Sequence, residues 1–315
     1  NLISGNSNEA ISLNFGTTGA SVQGNLIGTN ATGSAALANG GGILIGNASH
    51  GNTIGGTAAG AGNTISGNSG VAVWADNSNG TTIQGNRFGT TADGSAVLAN
   101  GSASIMLYAS GNSVIGGNTA AAGNLFAGSP GAAIWLADTS ATGNLIEGNT
   151  IGTDASLTQN WSNGVGVRFS GPAHDNTVRN NVIAHSGFNA IRAAADVGSG
   201  NAFLGNRIYG SGELGIDLGE DGVTNNDPAI NLDGDSGAND LQNFPLLISA
   251  TTTGTTLAVQ GSIDAAANTT YRIEFFNNPL GSEDASGHGE GKYFLFAVDV
   301  TTNASGHAEF DLAPQ

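Results

Sequence analysis

The phrase GNLIGTNATGSAALANG at residues 24–40 returns as GNRFGTTADGSAVLANG at 85–101, with twelve of its seventeen positions identical. A looser copy, GNTIGTDASLTQNWSNG, follows at 148–164. Repetition constrains the fold more than any other feature here, because a short repeated unit can bury its apolar surface only against copies of itself. The phrase spans more than one repeat. Short alternating runs such as GILIGN, VAVWAD, SIMLYA, AAIWLAD and VGVRFS align on Ile11, Ile43, Val73, Ile105, Ile134, Val167, Ile191 and Ile216, at spacings of 32, 30, 32, 29, 33, 24 and 25 residues. The 61-residue offset between the two best copies is therefore two turns of one structure.

Each turn holds two further apolar columns. One runs Val22, Ile54, Ile83, Val114, Ile146, Val178 and Phe203; the other runs Ile27, Ile65, Phe88, Phe126, Ile151, Ile183 and Ile208. Period-2 alternation turns one side of each run inward. No stretch shows the 3.6-residue period of a helical repeat. Three short strands per turn, joined by glycine-rich corners, predict an all-β chain: a right-handed parallel β-helix of about seven coils over residues 1–215. Glycine supplies 52 of 315 residues, as many tight corners require. Asn25, Asn63, Asn86, Asn124, Asn149, Asn181 and Asn206 recur once per coil, and Asn52, Asn112, Asn144, Asn176 and Asn201 form a second series. Asn tolerates left-handed backbone and its amide can bond to equivalents above and below, so both series read as corner ladders. The many Asn-x-Ser/Thr matches follow from these ladders and are not read as glycosylation sites.

From residue 246 the text changes to LLISAT, TTLAVQGSI, TTYRIEFF, KYFLFAVDVTT and HAEFDLA. Alternating runs at short spacing predict an antiparallel β-sandwich over 246–315, with five strands where a complete immunoglobulin-like domain has about seven. Residues 216–245 are the junction, with the last coil and its cap. Charge marks the same division: residues 1–215 hold nine acids and five arginines, whereas 216–315 hold fifteen acids against Arg272 and Lys292.

The phrases NLIGTNATGSAALANG, GNTIGGTAAGAGNTISGNSG and DLQNFPLL resemble the right-handed parallel β-helix repeat proteins of bacterial surfaces. The resemblance covers residues 1 to about 245. FFNNPLGSEDASGHGEGKYF looks like the immunoglobulin-like module that follows the helix in that group. It implies a secreted, adhesin-like protein of the bacterial cell surface, and it brings no shared catalytic motif. NLISGNSNEA reads as text from the middle of a repeat, so the chain is expected to be a piece of a longer precursor.

Function classes narrow by exclusion. The net charge of −17 disfavours nucleic acid, which needs a basic face. The absence of Cys removes disulfides and thiolate metal sites. No apolar run reaches the length of a membrane span, so no membrane insertion is expected.

The outward position beside the first core column reads Ser12, Leu44, Trp74, Met106, Trp135, Arg168, Arg192 and Asp217, with Asp76 and Tyr108 two places further along. Two of the three tryptophans lie on this row, and aromatics beside arginines suit a polysaccharide or a protein surface. The plainer reading is that a loop or a neighbouring subunit covers them. The rival function is a carbohydrate-active enzyme: lyase, hydrolase or epimerase. Glycoside hydrolysis needs two carboxylates about 5–5.5 Å or about 6.5–9.5 Å apart. Asp76 and Asp138 sit at similar offsets two coils apart, roughly 9.6 Å at about 4.8 Å per coil, and Arg168 and Arg192 would accompany them. His174 and His185 occur near the arginines in sequence and read as loop residues.

The stretch GIDLGEDGVTNNDPAINLDGDSGANDLQNFP holds Asp217, Glu220, Asp221, Asp227, Asp233, Asp235 and Asp240 with no basic residue. Flexible Gly/Asn loops rich in carboxylates suit Ca²⁺, as a structural ion. DGDSGAND resembles half an EF-hand loop, although Phe244 stands where its closing glutamate would be. The alternative is a solvated acidic linker. Finally, no amphipathic helix covers the first coil and the sandwich is short of strands. Two open ends predict head-to-tail self-association through residues 1–20 and 246–315.

Overall fold

A computed structural model describes residues 1–227, 234–282, 284 and 286–312. Strands of two or three residues cannot persist alone, since each makes too few hydrogen bonds to offset the entropy of fixing its backbone. Here they persist by stacking. The first parallel sheet holds eight strands, from Leu2–Ile3 to Arg207–Tyr209; the second holds eight, from Glu9–Leu13 to Ile216–Gly219; the third holds seven, from Ser21–Val22 to Ala202–Leu204. The chain visits the three in turn, so each coil hydrogen-bonds to the one above and the one below. This is a parallel β-helix solenoid.

The register follows the apolar columns. Ile11, Ile43, Val73, Ile105, Ile134, Val167, Ile191 and Ile216 are directly paired, coil to coil, down the second sheet. Ile27 to Ile208 do the same in the first sheet, where Phe88 and Phe126 stack with ring centroids 4.9 Å apart. The third column differs at one coil. Ile115, not Val114, pairs with Ile83 and Ile146 and is buried. Two adjacent apolar residues leave the inward choice open in sequence, and a one-residue shift reverses every side chain. Full burial of such an aliphatic side chain contributes about 1.5–3 kcal/mol, and the columns form one continuous core.

The corners are held by asparagine. In the first series the Oδ1 of each residue accepts both the backbone N–H and the Nδ2 of its counterpart one coil earlier, continuously from Asn25 to Asn206. Nδ2 also donates to a carbonyl of the core column, as Asn86 does to Ile54 at 2.9 Å. The second series needs one correction. Ser113, not Asn112, continues it: its N–H donates to Asn144 Oδ1 and its Oγ accepts from Thr81 N–H. Asn112 instead takes the left-handed bend at φ 55°. A third ladder links Asn6, Asn39, Asn68 and Asn100, and at the same corner further along Ser129 N–H donates to Asn163 Oδ1; Asn100 also donates to the Ile65 carbonyl.

Residues 246–312 form two small antiparallel sheets. One orders Leu246–Thr252, Leu257–Asp264 and His307–Leu312; the other pairs Thr270–Asn277 with Tyr293–Thr301. Val259, Ile263, Ile273, Phe275, Val300 and Phe310 fill the space between them. Among the described residues the strands number five.

This module sits on the last coil. Ile208 N–H donates to the Gly291 carbonyl at 2.9 Å, continuing the first sheet's ladder onto the sandwich. Glu290 accepts from the N–H groups of Gly210 and Ser211, Glu274 from Gly205 N–H, and Lys292 Nζ lies 4.4 Å from the centre of the Tyr209 ring. On the third sheet, Asn239 Oδ1 accepts from Asn201 N–H and extends the second ladder by one step.

Candidate functional site

A strand that alternates inward and outward must place every second side chain on the outer face, and the paired register aligns these across coils. Leu44 pairs with Trp74, Trp74 with Met106, Met106 with Trp135, Trp135 with Arg168, Arg168 with Arg192, and Arg192 with Asp217. The row read from the sequence is one contiguous line on the second sheet. Trp74 and Tyr108 are exposed, at 36% and 42%. Met106, Trp135, Arg168 and Arg192 are half-buried.

The C-terminal half of the row is bonded together. The Arg168 guanidinium lies 4.9 Å over the Trp135 ring, and Trp135 Nε1 donates to Ser170 Oγ at 2.8 Å. Arg168 Nη2 donates to Glu220 Oε1 at 3.2 Å, and Arg192 Nε stands 3.4 Å from the same oxygen without hydrogen-bond geometry. Glu220 reaches them from the turn after the last strand, where the chain folds back over the row. Its own φ is 61°, between Gly219 at 111° and Gly222 at 92°. A non-glycine residue in that region is strained and persists only where its surroundings hold it.

Asp217 closes the row. It is buried, accepts from Asn189 Nδ2 at 3.2 Å, and leaves Oδ1 without a partner. Desolvation by burial raises its pKa above the ordinary carboxyl value, against smaller opposing effects from the Gly222 N–H and the Arg192 charge.

Asp76 and Asp138, two coils apart, do not fall on one register line. Asp76 pairs with Tyr108, Tyr108 with Ala137, and Ala137 with Ser170. Asp138 lies one residue beyond the strand, in a left-handed bend at φ 83°, where its carboxylate accepts from Ser140 N–H. The histidines lie apart from the arginines. His185 packs edge-on against Tyr209 at the sandwich seam, and His174 stands 3.8 Å from Asp175 at a turn before the third sheet. Trp161 is buried in a loop and its backbone N–H donates to the Gly152 carbonyl.

The acidic junction is dispersed. Asp217 belongs to the row, Asp221 lies beside Gly219, Asp227 N–H donates to Asn243, and Asp240 accepts from Ser199 Oγ. Asp235 is half-buried, and Asp233 lies outside the described residues. Among the described residues no three His, Asp or Glu side chains gather as a metal cage would require. Glu220, counted in the sequence with these acids, is instead the arginines' partner.

A cavity of about 880 Å³ opens at the seam, lined by Phe203, Ile208, Ile216, Leu218, Leu246 and Phe276 among others. It is the end of the solenoid core: Ile216 is 42% exposed, whereas its partner Ile191 is fully buried. It lies behind the second sheet, on the face opposite the row.

No protein-family model matches this chain, and no curated protein does. Among solved structures it is similar to the Dettilon tailspike protein at 13% identity, covering 98% of this chain and 78% of that one, with a TM-score of 0.36. Among the described residues no helix is long and apolar enough to cross a membrane.

Proposed function

We propose that this chain is a secreted, non-catalytic surface protein that binds polysaccharide along the outer face of the second sheet. One observation carries the reading: Trp74, Met106, Trp135, Arg168 and Arg192 occupy five successive coils in direct register. Flat rings on a rigid scaffold offer apolar faces at little entropic cost, and guanidinium groups supply donors for hydroxyl or acidic groups. A solenoid suits a polymer, because its binding positions repeat along one axis.

Titration of a polysaccharide panel tests this. Trp74→Ala should weaken binding about tenfold or more while leaving the melting temperature nearly unchanged, as expected for an exposed anchor. Trp135→Ala should weaken binding as much and also lower the melting temperature, because it removes the bond to Ser170 and the stack with Arg168. Undiminished binding in the double variant would sink the proposal. Incubation with uronate polymers should yield neither unsaturated products nor new reducing ends. Turnover that disappears with Asp76→Asn or Arg192→Ala would establish the enzyme instead. A structural Ca²⁺ at the junction is a separate proposal, supported by the acidic sequence alone; an unchanged melting temperature in excess chelator counts against it.

A further inference from the structure

We infer that Glu220 stands in for a ligand's carboxylate, and that Arg168 and Arg192 form the subsite for the acidic sugar of a uronate-containing polysaccharide. This rests on the saccharide reading above and adds which sugar is taken and where its charge is held.

Two arginines directly opposite each other on neighbouring coils repel, which costs sheet stability unless an anion lies between them. The anion present is Glu220, whose single Oε1 lies 3.2 Å from one guanidinium and 3.4 Å from the other. A carboxylate therefore fits the place. The fit is partial: Glu220 makes one hydrogen bond to the pair, through Arg168, and the Nε–H groups of Arg168 and Arg192 have no acceptor although both are buried. A guanidinium presents five donors suited to two-pronged binding of a carboxylate, so the pair can hold an anion better than Glu220 does.

The tether also favours exchange. Glu220 sits in left-handed backbone between two glycines that also take positive φ, so the turn that carries its side chain has the backbone freedom to move it away. The Arg168 guanidinium lies over one face of the half-buried Trp135, one coil away, so a pyranose packed on the part of that ring left uncovered would bring a ring carboxylate to the arginines about 4.8 Å along the axis. Asp217, on the far side of Arg192, sets the limit of the subsite.

The test compares polygalacturonate with its methyl-esterified, uncharged form, titrated against wild type, Glu220→Gln and Glu220→Ala. Both variants should bind the acidic polymer about tenfold more tightly, since an internal charged competitor is gone, and the esterified polymer unchanged. The gain should shrink with added salt. If Glu220 is only a structural clamp, both variants melt lower and bind the acidic polymer no better, which overturns the inference. Equal gains for both polymers overturn it too, because the carboxylate would not be what is recognised. Failure of the saccharide reading looks different: neither polymer binds any form of the protein.

Discussion

Asp217 shows how one buried charge sets a local pH dependence. The register places it on the outer row, beside Arg192, yet the turn that carries Glu220 and Gly222 covers it. Burial raises its folded pKa above the unfolded value. The neutral acid is therefore the form that the fold prefers; its contribution is fully present below the ordinary carboxyl pKa and is lost as pH rises through the folded value. Ionising the buried carboxyl lowers stability. Asp217→Asn keeps the acceptor for Asn189 and removes the charge, so it should raise the melting temperature at pH 7. The gain should be gone on acidification to about pH 3, below the ordinary carboxyl pKa of about 3.9. A gain of equal size at both pH values would show that burial of charge is not its cause.

At the scale of elements, the repeated phrase is a hairpin loop carried by alternate coils. Residues 28–40, 89–101 and 152–164 align position by position, and Thr29–Ala36 and Thr90–Val97 make equivalent antiparallel bridges. The middle of each loop needs left-handed backbone: Gly33 at φ 67°, Gly94 at 71°, and in the third copy Leu157 at 60°. Around Leu157 the Asp154 carboxylate accepts from the backbone N–H groups of Ser156, Thr158 and Gln159, which holds the bend and depresses its pKa, the Ser156 hydroxyl contributing most. A leucine there costs about 1–2 kcal/mol of strain, part of which glycine's greater unfolded-state entropy offsets. Leu157→Gly should therefore stabilise the protein by roughly 0.5–1 kcal/mol, read as a higher thermal midpoint. A lower midpoint would mean that packing of the leucine outweighs the strain.

For the whole molecule, the sandwich meets the last coil through the backbone bond between Ile208 and Gly291 and the carboxylates of Glu274 and Glu290, and among the described residues it leaves an edge of its own unpaired. Leu246–Thr252 pairs on one side only, with Leu257–Asp264, and Leu246, Leu247 and Ile248 are 50–70% exposed. Such an edge invites strand addition. We propose that it binds a second copy of the chain head to tail. Light scattering should then show mass rising with concentration for the wild type and a constant monomer for Ile248→Lys, because a charge at an edge is the usual bar to pairing. A wild type that stays monomeric at high concentration removes the proposal. At the C-terminal end of the solenoid the edge of the first sheet is already occupied by Glu290, Gly291 and Lys292, with Glu274 at the neighbouring Gly205 corner.

The period of the apolar residues determined the solenoid, two of its three core columns in full, and the complete outer row from Leu44 to Asp217. It could do so because strand side chains alternate with period 2 and identical coils must stack in register. Where the pattern allowed either of two neighbours, only the assembled ladder decided. Ile115 rather than Val114 faces inward, Ser113 rather than Asn112 joins the corner, and Ala137 rather than Asp138 meets Tyr108. Each is a shift of one residue, the step to which an alternating pattern is least sensitive and side-chain direction most sensitive. The partner of the arginines was a different matter. Glu220 lies 52 residues from Arg168 and 28 from Arg192, and no local pattern links them. That contact exists because the chain turns back at Gly219–Gly222 over a face built by earlier coils, a path set by tertiary packing.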